Sequence, residues 1–501
     1  MAMGFLQKKA FLIIFLVFIV FNPTTSSKSF ELEKKFDGIN FEIDFTKNNF
    51  DNPLEQNRKD ETIGNQEIFW SLDEGIGQYV QKRATLLSVG EKCYVYFANE
   101  TIDDIGQTAA TATCNYYRDE FDALIYDKNV ELMGHPNGTL GDVDGDPKVT
   151  ILVAPLGFNG GVYLQKDELP GTYSNQREMF YIDTCYGINE IGLMVIMHEF
   201  NHLIWFNNDL NDSPFIHEGV AEFSVFYAGY FMDWNNRSGF ANLFVNNHQR
   251  SLLTFHTIDN SPLPEDYGAS FMFIVYLVEQ YGFDFLDNLI REPLNGALGV
   301  DNALNETGFN ESFNDVFLNW ITTCTVDNEQ IESGVYSFDN IDLTVNPDDE
   351  INNYPYQMDD VIHYPYGFHV KKLNQPPDEF TFSIANPYPI YSLGISIVVH
   401  DQNGWQVTQS NYYEENDKIW INVSGEEITE AYIITSIMNE NTPTSYFDFI
   451  EVGSELVYYL SYSIQEGHDQ TSSISIGLFG VIFGSIMILF HTQKRKKRRT
   501  F

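Results

Sequence analysis

His198, Glu199 and His202 stand in the run "HEFNH", a spacing with the means to do chemistry. On a helix, positions i and i+4 project from one face, so the two imidazoles can share a tetrahedral metal ion. Glu199, one position on, is then placed to act as a general base beside that metal. Two histidines packed in a buried amphipathic helix would account for the spacing, but not for an ionisable glutamate set between them.

A catalytic zinc ion takes three protein ligands and keeps a fourth position open. The extension HExxHxxGxxH is absent, because Trp205 stands where glycine is needed and Asn208 where histidine is needed. The third ligand is therefore expected on a following helix, and "IHEGVAEF" offers Glu218 after 15 intervening residues. A loop from Asn207 to Pro214 is long enough for that helix to fold back. Glu222, one turn further, is either a hydrogen-bonding support for a ligand histidine or an exposed helix carboxylate.

HEFNH followed by HEGVAEF resembles the gluzincin metallopeptidases, whose second motif is usually NEGxA; here His217 replaces the asparagine. The stretches "GDVDGDPKVTILVAPLGFNGGVYLQKDEL", "MFYID" and "DYGASFMFIVYLVEQYG" are similar to those of the hyicolysin-type peptidases, over roughly Cys93 to Tyr281. The resemblance implies a zincin-like, two-lobed peptidase domain acting on a protein or peptide substrate. It also implies one Zn2+ held by His198, His202 and Glu218, with Glu199 as base. His217 removes no ligand; it either alters the support around the metal or adds an electrophile. The GxMEN motif of the gluzincin aminopeptidases is absent, which favours an endopeptidase. A developing oxyanion needs a donor besides the metal. Tyr267, in "DYGAS", is the candidate, with His217 and His256 behind it; a phenol packing the next helix is the alternative.

These residues need elements to position them. From Phe69 to about Asp183, short runs rich in β-branched and aromatic residues alternate with Gly, Asp, Asn and Pro, which predicts strands. Either "GGVYLQ" or "MFYID" is expected at the cleft edge, where an extended peptide could add a strand and Gly160 and Gly161 would permit close approach. From Asn189 onward the period becomes helical, with Ile191, Met194, Val195, His198 and His202 on one stripe and Asn189 as N-cap. Further helices are expected at "PFIHEGVAEFSVFYAGYF", "GASFMFIVYLVEQYG" and "SFNDVFLNWITTC". The expected fold class is α+β: a β-rich lobe (28–188), a helical lobe (189–337), an acidic linker (338–353) and a β-sandwich (354–465).

"DVDGD" places Asp142, Asp144 and Asp146 where alternate carboxylates could converge on Ca2+. Pro147 and Val153, however, occupy the positions at which an EF-hand loop needs Gly and Glu, and an acidic turn is the alternative.

The termini locate the chain. Lys8 and Lys9 precede "AFLIIFLVFIVF", which reads as a secretory signal (1–27) or an uncleaved anchor. "TSSISIGLFGVIFGSIMILF" (471–490) has no charge and is long enough to cross a hydrocarbon core of about 30 Å as a helix. The basic tail (491–501) then belongs in the cytoplasm and everything between the apolar runs faces outward, giving a single-pass membrane protein. A net charge of -43 excludes a nucleic-acid partner. Four cysteines in an exported chain predict up to two disulfides, and the lack of CxxC spacing argues against a zinc ribbon. Sequons at Asn99, Asn137, Asn236, Asn305, Asn310 and Asn422 fit a glycosylated exterior. Oligomeric state is not legible. The competing class is a catalytically silent zincin-fold adhesin or binding protein at the cell surface; loss of Glu199 or of a ligand would have favoured it, and neither is lost.

Overall fold

The computed structural model describes residues 61–467 except 74–77, 137–142, 159, 210–211, 231–238, 259–260, 386–391, 413–417, 440, 444–448 and 453–456. The expected signal, membrane segment and basic tail lie outside the described residues, as do Asp142, Asn137 and Asn236. Among the described residues no helix is long and apolar enough to cross a membrane. The protein is a mixed α+β structure with several sheets, and it divides into two compact units, Met1–Asn208 and Asp209–Phe501.

In the first unit the chain runs through strands β1 (Gln66–Asp73), β2 (Gln78–Val89) and β3 (Cys93–Ala98), then helices α1 (Asn99–Ile105), α2 (Gln107–Glu120) and α3 (Tyr126–Met133). Strands β4 (Val149–Ala154), β5 (Gly161–Tyr163) and β6 (Met179–Asp183) follow, and then helix α4 (Glu190–Asn208). The six strands form one sheet in the order β1-β2-β3-β4-β6-β5. Strands β3, β4 and β6 run parallel, whereas β5 is antiparallel to β6. "CYVYFA" and "VTILVA" are buried at every position, as apolar runs in parallel strands covered on both faces should be. Phe69, Leu86, Tyr96, Leu152, Val162 and Tyr181 fill one face of the sheet. On the other face, Phe180 meets Phe121 and Phe200, which fastens α4 to the sheet.

The first compact unit ends with α4, at Asn208. The reason is packing: α4 lies on β5, β6 and α3, so the helix belongs physically to the sheet that precedes it. Of the two candidates for the edge strand, "GGVYLQ" supplies it, as β5, while "MFYID" is β6, an interior strand.

The second unit opens with α5 (Pro214–Tyr227), α6 (Phe240–Phe244), β7 (Phe255–Ile258), β8 (Ser261–Pro262), α7 (Pro264–Tyr281), α8 (Phe283–Ile290), α9 (Gly296–Glu306) and α10 (Phe313–Val326). Strands β9 (Asp349–Ile351), β10 (Tyr356–His363), β11 (Phe368–Asn374), β12 (Glu379–Ala385) and β13 (Ser392–Asp401) come next. They are followed by β14 (Gly404–Tyr412), β15 (Ile419–Ser424), β16 (Glu430–Met438), β17 (Phe449–Glu451) and β18 (Tyr458–Glu466). Two of its sheets, β14-β13-β16-β11-β9 and β10-β18-β12-β15, enclose a core that includes Phe380, Phe382, Ile395, Ile421, Ile433 and Leu460. This is the alternation expected of a sandwich.

The segment expected to be an acidic linker is folded. Its strand β9 pairs in parallel with β11, and Asp348 accepts hydrogen bonds from the Val370 amide at 2.6 Å and the Gln249 side chain while pairing with His248 at 3.3 Å. Helix α10 covers the outer face of the five-stranded sheet: Thr322 bonds Ser396 at 2.8 Å, and the Gln409 amide donates to the Leu318 carbonyl at 3.2 Å. Within this unit the sandwich and the helices therefore share one packed body.

Two expectations from composition need correction. All four cysteines are free thiols, so the anticipated disulfides are not formed; Cys93, Cys114 and Cys324 are buried, where desolvation pushes each thiol up, and Cys185 is exposed. Asn422 is also no place for a glycan, because it is 4% exposed and its side chain accepts a hydrogen bond from Thr381 across the β12–β15 pair.

Candidate metal centre

Helix α4 carries the motif. Asn189 starts it, as its side chain accepts from the Ile191 amide at 2.8 Å. The stripe read from the sequence understates its burial: from Val195 to Asn207 every residue is buried. Phe200 stacks on Tyr126 at 5.4 Å and meets Phe121 edge-on at 4.9 Å. The Asn129 side chain donates to the Met197 carbonyl and accepts from Asn201, both at 3.0 Å, so a polar clamp fixes the rotation of the helix at the turn that holds His198.

With the helix so oriented, the Nε2 atoms of His198 and His202 lie 3.0 Å apart. Glu218, on α5, completes a buried group: one donor atom from each of His198, His202 and Glu218 lies within 4.8 Å of the others. The three are 7%, 5% and 0% exposed. Bonds of about 2.0–2.1 Å at tetrahedral angles put two ligand nitrogens roughly 3.3 Å apart, so the imidazole spacing is that of two ligands sharing an ion. A buried carboxylate held against two imidazoles in this way is also an arrangement that a divalent cation would neutralise. The group could therefore bind a metal ion. Among the described residues it is the one such cluster of three or more His, Cys, Asp or Glu side chains.

Residues around it fall into place unevenly. Glu199 is 2% exposed and lies over the edge strand: a Cβ on Gly161 would stand 2.7 Å from Glu199 Cγ and 3.0 Å from its Oε1. Only glycine lets β5 approach the carboxylate so closely. His217 Nδ1 is 3.2 Å from Glu218 Oε1, so the residue that departs from the family motif touches a candidate ligand directly. Glu222 is 4% exposed, which removes the exposed-carboxylate alternative. Tyr267 is 2% exposed and packs between Phe240 and Phe255, with centroids at 5.4 and 5.0 Å, the environment of the packing alternative.

Two features escaped the sequence reading. His256 Nδ1 pairs with Asp266 at 2.9 Å, and the His256 amide donates to the same carboxylate at 2.5 Å. Burial raises the Asp266 carboxyl even so, with His256 opposing. The sequence separates these residues by ten positions with no motif to join them. Tyr186, in the turn before α4, has a buried hydroxyl with no hydrogen-bond partner. Burial raises that phenol, and the charges of Cys185, Asp183 and Glu199 raise it further. A tyrosine following a strand carries no signal of its own, so nothing in the sequence marked it.

The calcium reading fares differently. Asp144 accepts from the Asp146 amide at 2.9 Å; Asp146 accepts from the Lys148 amide at 3.0 Å and from the Tyr94 hydroxyl at 2.8 Å. Those bonds close an acidic turn leading into β4, while Asp142 lies outside the described residues.

No protein-family profile matches the chain, and no curated protein matches it. Solved structures with a slight likeness to it include the following two. One is CorA, a surface-associated copper-binding protein of Methylomicrobium album BG8, at 5% identity and a TM-score of 0.16, covering 24% of this chain and 98% of that one. The other is the pre-peptidase C-terminal domain of a collagenase from Bacillus anthracis, at 13% identity and a TM-score of 0.14, covering 24% and 97%. Likenesses of that size carry no argument about fold or activity, and the functional reading rests on the site.

Proposed function

We propose that the protein is a membrane-anchored extracellular zinc endopeptidase with a zincin-like catalytic domain of the gluzincin type. The observation that carries the reading is the convergence of His198, His202 and Glu218 beside a buried glutamate that faces a glycine on an edge strand. Two imidazoles and one carboxylate fit zinc and leave a position free. When bound, zinc supplies Lewis acidity at the substrate carbonyl and makes water a competent nucleophile near neutral pH.

The chain's own residues do the rest. Glu199 takes the proton of the attacking water and delivers it to the leaving amine, a role for which a carboxylate within reach of both is suited. The free edge of β5 accepts an extended peptide as a further antiparallel strand, and the missing side chain at Gly161 lets the substrate backbone come close to Glu199. His217 holds Glu218 in place. Tyr186, Tyr267 and His256 are the candidate donors for the oxyanion, with Tyr186 favoured by its buried, partnerless hydroxyl in the turn that leads into α4.

The test uses the full chain in detergent, measuring bound zinc and casein cleavage for the parent and for Glu199→Gln. Zinc near one equivalent in both proteins, with cleavage reduced about 10²–10⁴-fold in the variant, is expected. Metal without cleavage in the parent would favour the binding-protein reading, and folded protein that takes up no metal would overturn the site.

A further inference from the structure

Two asparagine side chains meet where α3 packs on α4, deep in the first unit. Asn129, on α3, and Asn201, inside the motif itself, are both 0% exposed. Asn201 Nδ2 donates to Asn129 Oδ1 at 3.0 Å, and Asn129 Nδ2 donates to the Met197 carbonyl at 3.0 Å, with Met197 Sδ at 3.1 Å. In an α-helix that carbonyl already accepts from the amide four residues on, which is that of Asn201. One side chain of α3 therefore grips both ends of a single turn of α4, and that turn starts one residue before His198 and ends one residue before His202.

Stability does not account for the pair. Asn201 Oδ1 is buried and has no hydrogen-bond partner among the described residues. A buried amide network that leaves an oxygen unsatisfied loses the hydration of that group without replacement, and apolar side chains of the same shape would hold the fold at least as well. The surroundings suit such side chains: Phe200 lies against Tyr126 and Phe121, and Met133, on α3, is 0% exposed. What apolar packing lacks is direction. Burial of hydrocarbon is nearly indifferent to a small slide or rotation of the helix, whereas a hydrogen bond weakens steeply once its geometry is lost. A metal centre needs its ligands held within about 0.5 Å of their places.

We propose that Asn129 and Asn201 are positioning residues for the metal centre. At some cost in stability they fix the rotation and height of α4, so that His198 and His202 present their nitrogens at the spacing an ion requires. The proposal rests on the metal centre described above, and neither asparagine is itself a ligand. A buried polar contact that selects one register among several apolar ones plays the same part in helical assemblies.

The experiment uses the full-length protein in detergent. The zinc dissociation constant is measured by competition with a chromophoric chelator, and the unfolding midpoint of the metal-free protein by circular dichroism. Asn129→Leu and Asn201→Leu each strand the partner's amide, so each should lower the midpoint and weaken zinc about tenfold. The double leucine variant should regain the parent's midpoint or exceed it, yet still bind zinc about tenfold more weakly. The smaller pair Asn129→Ala/Asn201→Ala guards against overpacking by leucine and should show the same loss of zinc affinity. Parental zinc affinity in either folded double variant would overturn the proposal. So would midpoints below the parent's in both, which would make the asparagines supports of the fold. A parent that binds no zinc is a different result: it overturns the metal centre, and the positioning role with it.

Discussion

At the scale of single residues, the chemistry depends on how closely atoms are allowed to approach. Gly161 is the sharpest case. A Cβ there would lie 2.5 Å from Val195 Cγ1 and 2.7 Å from Glu199 Cγ, inside any real contact distance. Gly161→Ala is expected to destabilise the protein by about 1–3 kcal/mol through overpacking and to depress casein cleavage beyond that loss, because the displaced group is the proposed base. Gly171, whose Cβ would meet nothing within 4 Å, supplies the control: Gly171→Ala should change neither denaturant midpoint nor turnover. Asp212 illustrates burial of a different kind. Its carboxyl is pushed up to about 8 by desolvation, although the amides of Gly296 and Ser213 donate to it at 2.7 and 2.6 Å. A carboxyl raised in the folded state adds stability that is complete below its unfolded pKa and is lost as pH climbs through the folded one. Asp212→Asn keeps the acceptor oxygen and drops the charge, so it should stabilise the protein at about pH 8 and leave it nearly unchanged at about pH 4 when unfolding is followed by circular dichroism.

At the scale of elements, helices and strands hold the site by packing that short-range pattern does not show. The periodicity from Asn189 announced α4, and the Asn189 cap is where the pattern placed it. The pattern did not show that the helix is buried all round, because that depends on the sheet beneath it and on Asn129, which is 68 residues from Met197 in sequence. The second unit has its own point of close approach. Gly367, just before β11, lies so near the loop after α6 that a Cβ would stand 1.9 Å from the Gln249 carbonyl oxygen. Two backbones meet there, with the Phe368 amide donating to the His248 carbonyl and the Leu252 amide to the Tyr366 carbonyl. A backbone atom yields less readily than a side chain, so Gly367→Ala should cost about 3 kcal/mol or more in chemical denaturation. If the sandwich were merely tethered to the helices, the same substitution would leave the unfolding of the helical part unmoved.

At the scale of the whole molecule, several buried acids act in the same direction. Burial pushes Glu279 up to about 7 and Asp327 to about 6, alongside Asp212. A net charge of -43 adds self-repulsion that eases as carboxylates take up protons. The opposing groups are histidines: burial lowers His369 to about 4 and His363 well below its ordinary value, so each holds the fold in its neutral form and begins to cost stability once the pH drops below about 6.5. Asp348, which pairs with His248 and His369 and accepts from the Val370 amide, is held below the usual carboxylate range, and its contribution is lost only in stronger acid. The unfolding midpoint should therefore rise on going from about pH 8.5 to about pH 6.5, and Asp212→Asn should flatten much of that rise. A flat profile in the parent would show that Asp212 and Glu279 reach water in the folded state.

The sequence by itself determined the local periods and the spacing of the motif. Two histidines four apart on a helix share a face whatever surrounds them, and strands that alternate toward a core announce a sandwich before the partner sheet is known. It also placed Glu218 as the third member of the group, because the helix that carries it begins within reach of the one before. What only the tertiary structure decided are the meetings between distant segments: that β5 and not β6 is the edge strand, that Glu222 is buried, and that Asp266 grips His256. It also decided against two readings drawn from composition, since the thiols stay unpaired and Asn422 turns inward. The physical reason is common to all of these. Helix and strand periods are set by neighbours a few residues away, whereas burial, pairing and charge compensation depend on which segments the packing of the core brings together.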